Sequence, residues 1–154
     1  MPDMPEIPEK LANTLDALSM VPDRSERIQL LIDIAGKFQD VAPEVATRPF
    51  PEESRVPACE SEAFVWARPR PDGLLDFHFA VENPQGISAK AMAVILKDNL
   101  SGQPLDQVAA VPQDVVYQVF GKELSMGKSM GLMSMVGMVA ALAKRAQEPR
   151  TSRT

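Results

Sequence analysis

The stretch AFVWARPRPDGLLDFHFAVE, residues 63–82, decides the fold. Two runs, 63–68 and 74–82, are rich in aromatic and β-branched side chains and flank the turn segment PRPDG (69–73), whose Asp-Gly pair is a turn signal. In the second run every other residue is apolar, namely Leu75, Phe77, Phe79 and Val81. This alternation predicts an antiparallel hairpin with one face buried and the other solvated.

Helical patterns lie on both sides of this hairpin. Before it, leucines recur at helical spacing over Glu9–Ser19, and Asp23 is a good N-cap for a second helix that continues to about Asp40, with Glu26 as its capping-box partner. After it, four helices are predicted at Ser88–Leu100 with Ser88 as the cap, Leu105–Ala109, Pro112–Phe120 and Lys128–Gln147. Two helices, a small antiparallel sheet and further helices make an α+β fold, in which the sheet packs against N-terminal and C-terminal helices.

The remaining segments are predicted to be loops and tails around one domain. Residues 41–57 contain four prolines, which exclude a helix and indicate a long surface loop of the kind that positions functional groups. Residues 1–8 and 149–154 are predicted to be flexible tails, so that a single domain spans 9–148. The length of 154 residues fits one domain with a real hydrophobic core.

Composition and charge exclude several classes of function. The net charge of −5 repels phosphate backbones, so no nucleic-acid partner is expected and a protein partner is favoured. The longest uncharged apolar run, 129–143, is shorter than the roughly 20 residues that span a bilayer, so we expect a buried core helix and no membrane partner. The N-terminal residues do not resemble a secretory signal, and with a single cysteine the expected location is cytoplasmic.

Several residues with chemical potential are better explained structurally. His78, the only histidine, falls on the polar face of the second strand, and Gly127-Lys128-Ser129 lacks the upstream glycine of a phosphate loop. The pairs Glu52-Glu53 and Glu60, Glu62 are interpreted as solvated carboxylates. The methionines of the last helix are interpreted as core filling, and they are Met126, Met130, Met133, Met135 and Met138.

Cys59 is the strongest candidate for chemistry. A lone cysteine is more often a small buried hydrophobic residue than a nucleophile, but this one follows the proline-rich loop and is flanked by charged residues. That setting favours a partly exposed thiol at a loop-to-strand junction. Residue patterns alone leave a functional and a structural Cys59 about equally supported.

The residues around Cys59 resemble the SufE family of sulfur-acceptor proteins. The loop VPACESEAF (56–64) is similar to the family's Val/Ile-x-Gly-Cys-Gln-Ser-Gln-Val-Trp, with glutamates in place of glutamines and Ala58 in place of glycine. Four further segments resemble family blocks in the same order, namely 27–38, 88–93, 100–108 and 124–132. Together the likeness covers roughly residues 10–145.

The resemblance implies a specific function and site. A SufE-like protein takes persulfide sulfur from a PLP-dependent cysteine desulfurase of the SufS type, stimulates that enzyme, and passes the sulfur to an iron–sulfur scaffold of the SufBCD type. Cys59 is the residue carried over as sulfur acceptor, while Lys128, where the family usually has arginine, and the nearby Arg55 are assigned electrostatic support. Such a protein is a sulfur-transfer carrier and desulfurase activator and not a stand-alone enzyme.

Two alternative functions stay open beside the SufE-like one. Cys59 could be structural in a protein-interaction module, or the same sulfur relay could serve tRNA or cofactor thiolation. No cofactor is expected on this chain, because one cysteine and one histidine cannot supply the usual four ligands of an iron–sulfur cluster. If the chain is SufE-like, the pyridoxal phosphate belongs to the desulfurase.

Overall fold

A computed structural model describes residues 6–122 and 124–148. The described elements are α1 (Glu9–Ser19), α2 (Arg24–Ala35), a short 3-10 turn (Glu52–Ser54), β1 (Ala63–Pro69), β2 (Leu75–Val81), α3 (Ile87–Leu100), α4 (Leu105–Ala109), α5 (Val115–Phe120) and α6 (Met126–Ala146). The predicted α+β fold, with a small antiparallel sheet between helices, is confirmed. The tails are predicted at residues 1–8 and 149–154; residues 1–5 and 149–154 lie outside the described residues, and the tails stay predictions.

The hairpin forms as its turn chemistry predicts. β1 and β2 pair antiparallel from Ala63 opposite Val81 to Pro69 opposite Leu75. Gly73 adopts a φ of 86°, a left-handed conformation that glycine reaches without a Cβ penalty, and Asp72 Oδ1 accepts a hydrogen bond from the backbone N–H of Leu74 at 3.0 Å. The turn therefore sets the register of both strands.

One face of the hairpin carries the main core. The four predicted inward residues of β2 are buried, and α3 packs on that face. The other face was predicted to be solvated, and that prediction is wrong at the end of the hairpin where β1 begins and β2 ends. Ala80 and Phe64 are buried there because the proline-rich loop folds over them, bringing Val41 and Phe50 against the sheet.

Helix ends differ from the predictions by a few residues. The Asp23 side chain caps α2 by accepting from the N–H of Glu26 at 3.0 Å, as predicted, but α2 ends at Ala35 and not near Asp40. Ser88 is not the cap of α3, which begins one residue earlier with Gly86 at the N-cap and no capping side chain. This uncapped start becomes part of the candidate site.

The last helix, α6, is only partly a core helix. Leu132, Met135 and Val136 are buried, whereas Met126 and Met130 are exposed, so the methionines do not all fill the core. By length and composition alone α6 is apolar enough to cross a membrane, with a mean hydropathy of 1.3. A helix that packs into a protein core passes the same test, and α6 packs against α3, α4, α5 and β1.

Candidate functional site

Cys59 lies on a short loop that is closed at its base. The backbone N–H of Val56 donates to the carbonyl of Ala63 at 2.8 Å, and Arg55 forms a bridge with Phe64 beside that bond. An ion pair of 3.8 Å between Nη2 of Arg55 and Oε2 of Glu62 lies at the same end. Residues 57–62 are thereby held as a compact loop, which we call the cysteine loop.

The second half of the cysteine loop continues the β1–β2 ladder. The carbonyl of Glu62 accepts from the N–H of Glu82 at 3.1 Å, and the carbonyl of Ser61 accepts from the N–H of Asn83 at 3.1 Å. Within the loop, the N–H of Glu62 donates to the carbonyl of Cys59 at 3.1 Å, which closes a tight turn. Backbone hydrogen bonds therefore fix the position of Cys59 relative to the sheet.

Two glycines allow neighbouring elements to approach this loop closely. A Cβ on Gly131 of α6 would lie 3.0 Å from both the carbonyl oxygen of Ala58 and the Cα of Cys59. A Cβ on Gly86 would lie 2.8 Å from the Oγ of Ser61. Any larger residue at either position would have to displace the cysteine loop.

The Cys59 side chain is more buried than predicted. Only 8% of the residue is exposed, because the loop packs onto α6 and Cys59 joins the main core cluster. It nevertheless lines an open depression of about 390 Å³, which we call the cysteine pocket. The other walls of the cysteine pocket are the turn at 83–86, the first residues of α3 and the first turns of α6.

The start of α3 presents backbone donors to the cysteine pocket. Ser88 and Ala89 both line it, and within the part of the chain that the structure describes their N–H groups donate no hydrogen bond. The first N–H groups of a helix lack partners in the helix itself, and the helix dipole adds partial positive charge there. This wall of the pocket favours a negatively charged group.

Of the two predicted supporting cations, only Lys128 lies in the cysteine pocket. It is in the first turn of α6, where its backbone N–H donates to the Oγ of the N-cap Ser125 at 3.3 Å, and its exposed side chain lines the pocket with Cys59. Arg55 pairs with Glu62 at the base of the loop and is not among the residues lining the pocket. Its position fits a role in holding the loop.

Other polar residues of the site were not singled out from the sequence. Asn83 and Gln85 line the cysteine pocket, but the segment that contains them reads simply as a turn. The Asn83 side chain indeed serves the turn, since its Oδ1 accepts from the N–H of Gln85 at 2.9 Å. Only the three-dimensional proximity to Cys59 distinguishes these residues from ordinary turn residues.

His78 lies apart from this site. It pairs with Trp66 across the hairpin, and partial burial, followed by the charge of Lys97, lowers the pKa of His78 below its ordinary value. It does not line the cysteine pocket. Among residues 6–122 and 124–148, no three histidine, cysteine or acidic side chains cluster as metal ligands would.

Comparisons with known proteins agree with the observed fold and with the resemblance of the sequence to the SufE family. The sequence profile of the family described as "SufE: Fe-S metabolism associated domain" matches residues 12–143. The chain is also similar to the solution structure of a hypothetical protein from Thermus thermophilus, with 26% sequence identity and a TM-score of 0.70. That similarity covers 91% of this chain and 97% of the other. A search among curated proteins found no match.

Proposed function

Because the chain belongs to the SufE family of Fe–S metabolism associated domains, we propose that it is a sulfur acceptor that receives persulfide sulfur on Cys59. The donor in this proposal is a PLP-dependent cysteine desulfurase of the SufS type, and the recipient is an iron–sulfur scaffold of the SufBCD type. By removing the product sulfur, the chain stimulates its donor. The proposal includes a cytoplasmic location, where a lone thiol stays reduced.

The transfer is a thiol–persulfide exchange. The Cys59 thiolate attacks the terminal sulfur of the donor's persulfide, a new S–S bond forms to Cys59, and the donor's S–S bond breaks. The donor cysteine leaves as a thiolate and takes up a proton equivalent to the one that Cys59 lost. The exchange moves one sulfur atom without a net change of oxidation state, so no external oxidant or reductant is required.

The observation that carries the proposal is that the sole cysteine, a cation and the start of a helix meet at the cysteine pocket. The sole cysteine is held on a closed loop, and its pocket of about 390 Å³ is also lined by the charged residues Glu60 and Lys128. Ser88 and Ala89 line it too, and their N–H groups donate no hydrogen bond to any described residue. A Cys59 persulfide carries negative charge on its terminal sulfur, and an anion is stabilised by helix N-termini and nearby cations. Lys128 supplies charge without the bidentate geometry of arginine.

One observation favours a second candidate function. Cys59 is 8% exposed and packs with the main core, as a structural cysteine of a protein-interaction module would. In that case the thiol would not exchange sulfur, and its replacement by serine would affect only stability. Sulfur relay to tRNA or cofactor thiolation would use the same Cys59 chemistry with another recipient.

Mass spectrometry after mixing the chain with cysteine and the cysteine desulfurase of the same organism separates these functions. We expect Cys59 to gain one or more sulfur atoms and desulfurase turnover to rise at least several-fold, whereas Cys59→Ser gains none and gives no stimulation. Far-UV circular dichroism should show that Cys59→Ser remains folded. If wild-type Cys59 takes up no sulfur and Cys59→Ser stimulates turnover as well as wild type, the carrier proposal is lost and the interaction module is favoured.

A further inference from the structure

A groove adjoins the cysteine pocket and is larger than it. It has a volume of about 740 Å³ and runs between α2, the start of α3 and the segment that joins α5 to α6. We call it the α2–α6 groove, and define it by Ile28, Ile32, Ile87, Phe120, Lys122 and Lys128. Ile87, Ser88 and Lys128 line both the groove and the cysteine pocket, so the two depressions lie side by side.

The wall of the α2–α6 groove is apolar, and no described residue covers it. α2 turns Leu31 and Ala35 towards the core, and this leaves Ile28 and Ile32 exposed by 47% and 41%. Ile87, at the first position of α3, is exposed by 45%. Single exposed apolar residues are ordinary on a protein surface, but three isoleucines along one groove mark a binding surface.

The described residues that line the groove carry charge opposite to that of the whole chain. Its lining includes Arg24, Arg27, Lys122 and Lys128 and, among the described residues, no carboxylate, whereas the chain carries a net charge of −5. The Arg27 guanidinium donates to backbone carbonyls that include those of Gln118 and Leu18, so it fastens the groove wall. Lys122 and Lys128 form no ion pair within the described residues and present their charge at the rim.

We propose that the α2–α6 groove is the docking site for an amphipathic, acidic segment of the sulfur donor. Apolar side chains of that segment cover Ile28, Ile32 and Ile87, and its carboxylates pair with Lys122 and Lys128. Occupation of the groove brings the donor's persulfide next to Cys59, because the groove shares a wall with the cysteine pocket. This inference rests on the proposed function, and names the surface and chemistry by which the donor binds.

An acidic partner follows from the electrostatics. The rest of this acidic chain repels another acidic protein, so a cationic groove confines favourable encounters to one face. A mainly apolar wall with a few cations suits a protein segment better than a nucleic acid, whose contacts are dominated by phosphate neutralisation. The groove therefore selects both the partner class and its orientation.

Two groove variants and two controls test the inference. Ile32→Glu places a carboxylate on the apolar wall, and Lys122→Glu reverses a rim charge; neither residue lines the cysteine pocket. Met20→Glu and Lys10→Glu make the same changes at exposed positions outside the groove. Two readouts are compared, namely the Kd and KM of the chain with the cysteine desulfurase, and the loading of Cys59 by inorganic polysulfide without any desulfurase.

We expect each groove variant to raise Kd and KM about tenfold, equivalent to about 1.4 kcal/mol, while polysulfide loading stays at the wild-type level. The effect of Lys122→Glu should shrink as salt is added, since rim charges are screened. The controls should remain within about twofold of wild type.

Other outcomes overturn the inference in distinguishable ways. If wild type accepts sulfur from the desulfurase and the groove variants match their controls, the docking site is wrong while sulfur acceptance stands. If the wild-type chain self-associates and Ile32→Glu abolishes that association, a second copy and not the donor occupies the groove. If wild type takes no sulfur from the desulfurase, the proposed function is lost, and the docking inference with it.

Discussion

Ala58, the residue before the candidate acceptor, has a backbone conformation that suits glycine. Its φ is 60°, and Glu62 at the other end of the cysteine loop has a φ of 54°. A Cβ in this left-handed region crowds the following carbonyl and costs roughly 1–2 kcal/mol. The SufE-like pattern, with glycine before the cysteine, is therefore explained by backbone geometry and not by contact with sulfur.

Replacing Ala58 with glycine tests this explanation. Ala58→Gly should relieve the left-handed strain, and this gain offsets the added flexibility of the unfolded chain. We therefore expect the free energy of unfolding of this variant to be no more than about 0.5 kcal/mol below that of wild type, or to exceed it. Ala17→Gly is the matched control in an exposed helical position, and it should lower the same quantity by about 1 kcal/mol. Urea denaturation measures both. An equal loss in the two variants would contradict the geometric argument.

At the scale of elements, the site depends on how α6 meets the cysteine loop. Gly131 lies at the contact, and the nearest atoms that its Cβ would meet belong to the backbone of Ala58 and Cys59. Backbone atoms held by hydrogen bonds at both ends of a loop move less easily than the end of a side chain. The close packing of these two elements keeps Cys59 mostly buried while the pocket beside it stays open.

Adding one methyl group at this contact should expose the thiol. Gly131→Ala is expected to lower the free energy of unfolding by about 1–3 kcal/mol through overpacking, and to speed the reaction of Cys59 with a thiol reagent several-fold. Gly127→Ala on the same helix meets only the Oε2 of Glu60 at an ordinary 3.7 Å. In that control the helix should become more stable, and the labelling rate of Cys59 should stay within about twofold of the wild-type rate. Equal labelling rates in the two variants would argue against the contact as the shield of Cys59.

At the scale of the whole molecule, the proline-rich loop is fastened across the second face of the sheet by Arg48. Its guanidinium bonds to Glu82 at 2.7 Å and to Asp40 at 3.1 Å, and lies 4.7 Å from the ring centre of Phe50. The hydrogen bonds to Glu82 first, and then those to Asp40, raise the pKa of Arg48 above its ordinary value. Phe50 in turn contacts Trp66 of β1 with ring centres 4.8 Å apart.

Removing this fastener should loosen the loop without unfolding the helices. In Arg48→Ala we expect the emission of Trp66, the only tryptophan, to shift to the red and proteolytic cleavage within residues 37–57 to quicken, because Phe50 no longer covers the indole. The helical circular dichroism signal should not change. Arg145→Ala, in the last turn of α6, is a control that should change none of these readouts. If Trp66 emission is identical in Arg48→Ala and wild type, the loop is held by its other contacts.

The sequence by itself determined the elements, the hairpin and the sole candidate nucleophile. Helical spacing in α1, the cap at Asp23 and the turn at Gly73 act between residues a few positions apart, so these local signals are readable without a structure. The family resemblance around Cys59 could likewise be recognised from its ordered motifs, and the profile match over 12–143 confirms it.

Only the tertiary structure decided what surrounds Cys59. Its burial, the approach of α6 at Gly131, and the meeting of Lys128 with the uncapped start of α3 join residues from distant parts of the chain. The exposure of Ile28 and Ile32 was likewise not predictable from the sequence. Helical periodicity identifies an apolar stripe, but it does not show how much of that stripe a neighbouring element covers. Coverage depends on how whole elements pack together, and no local pattern of side chains contains that information.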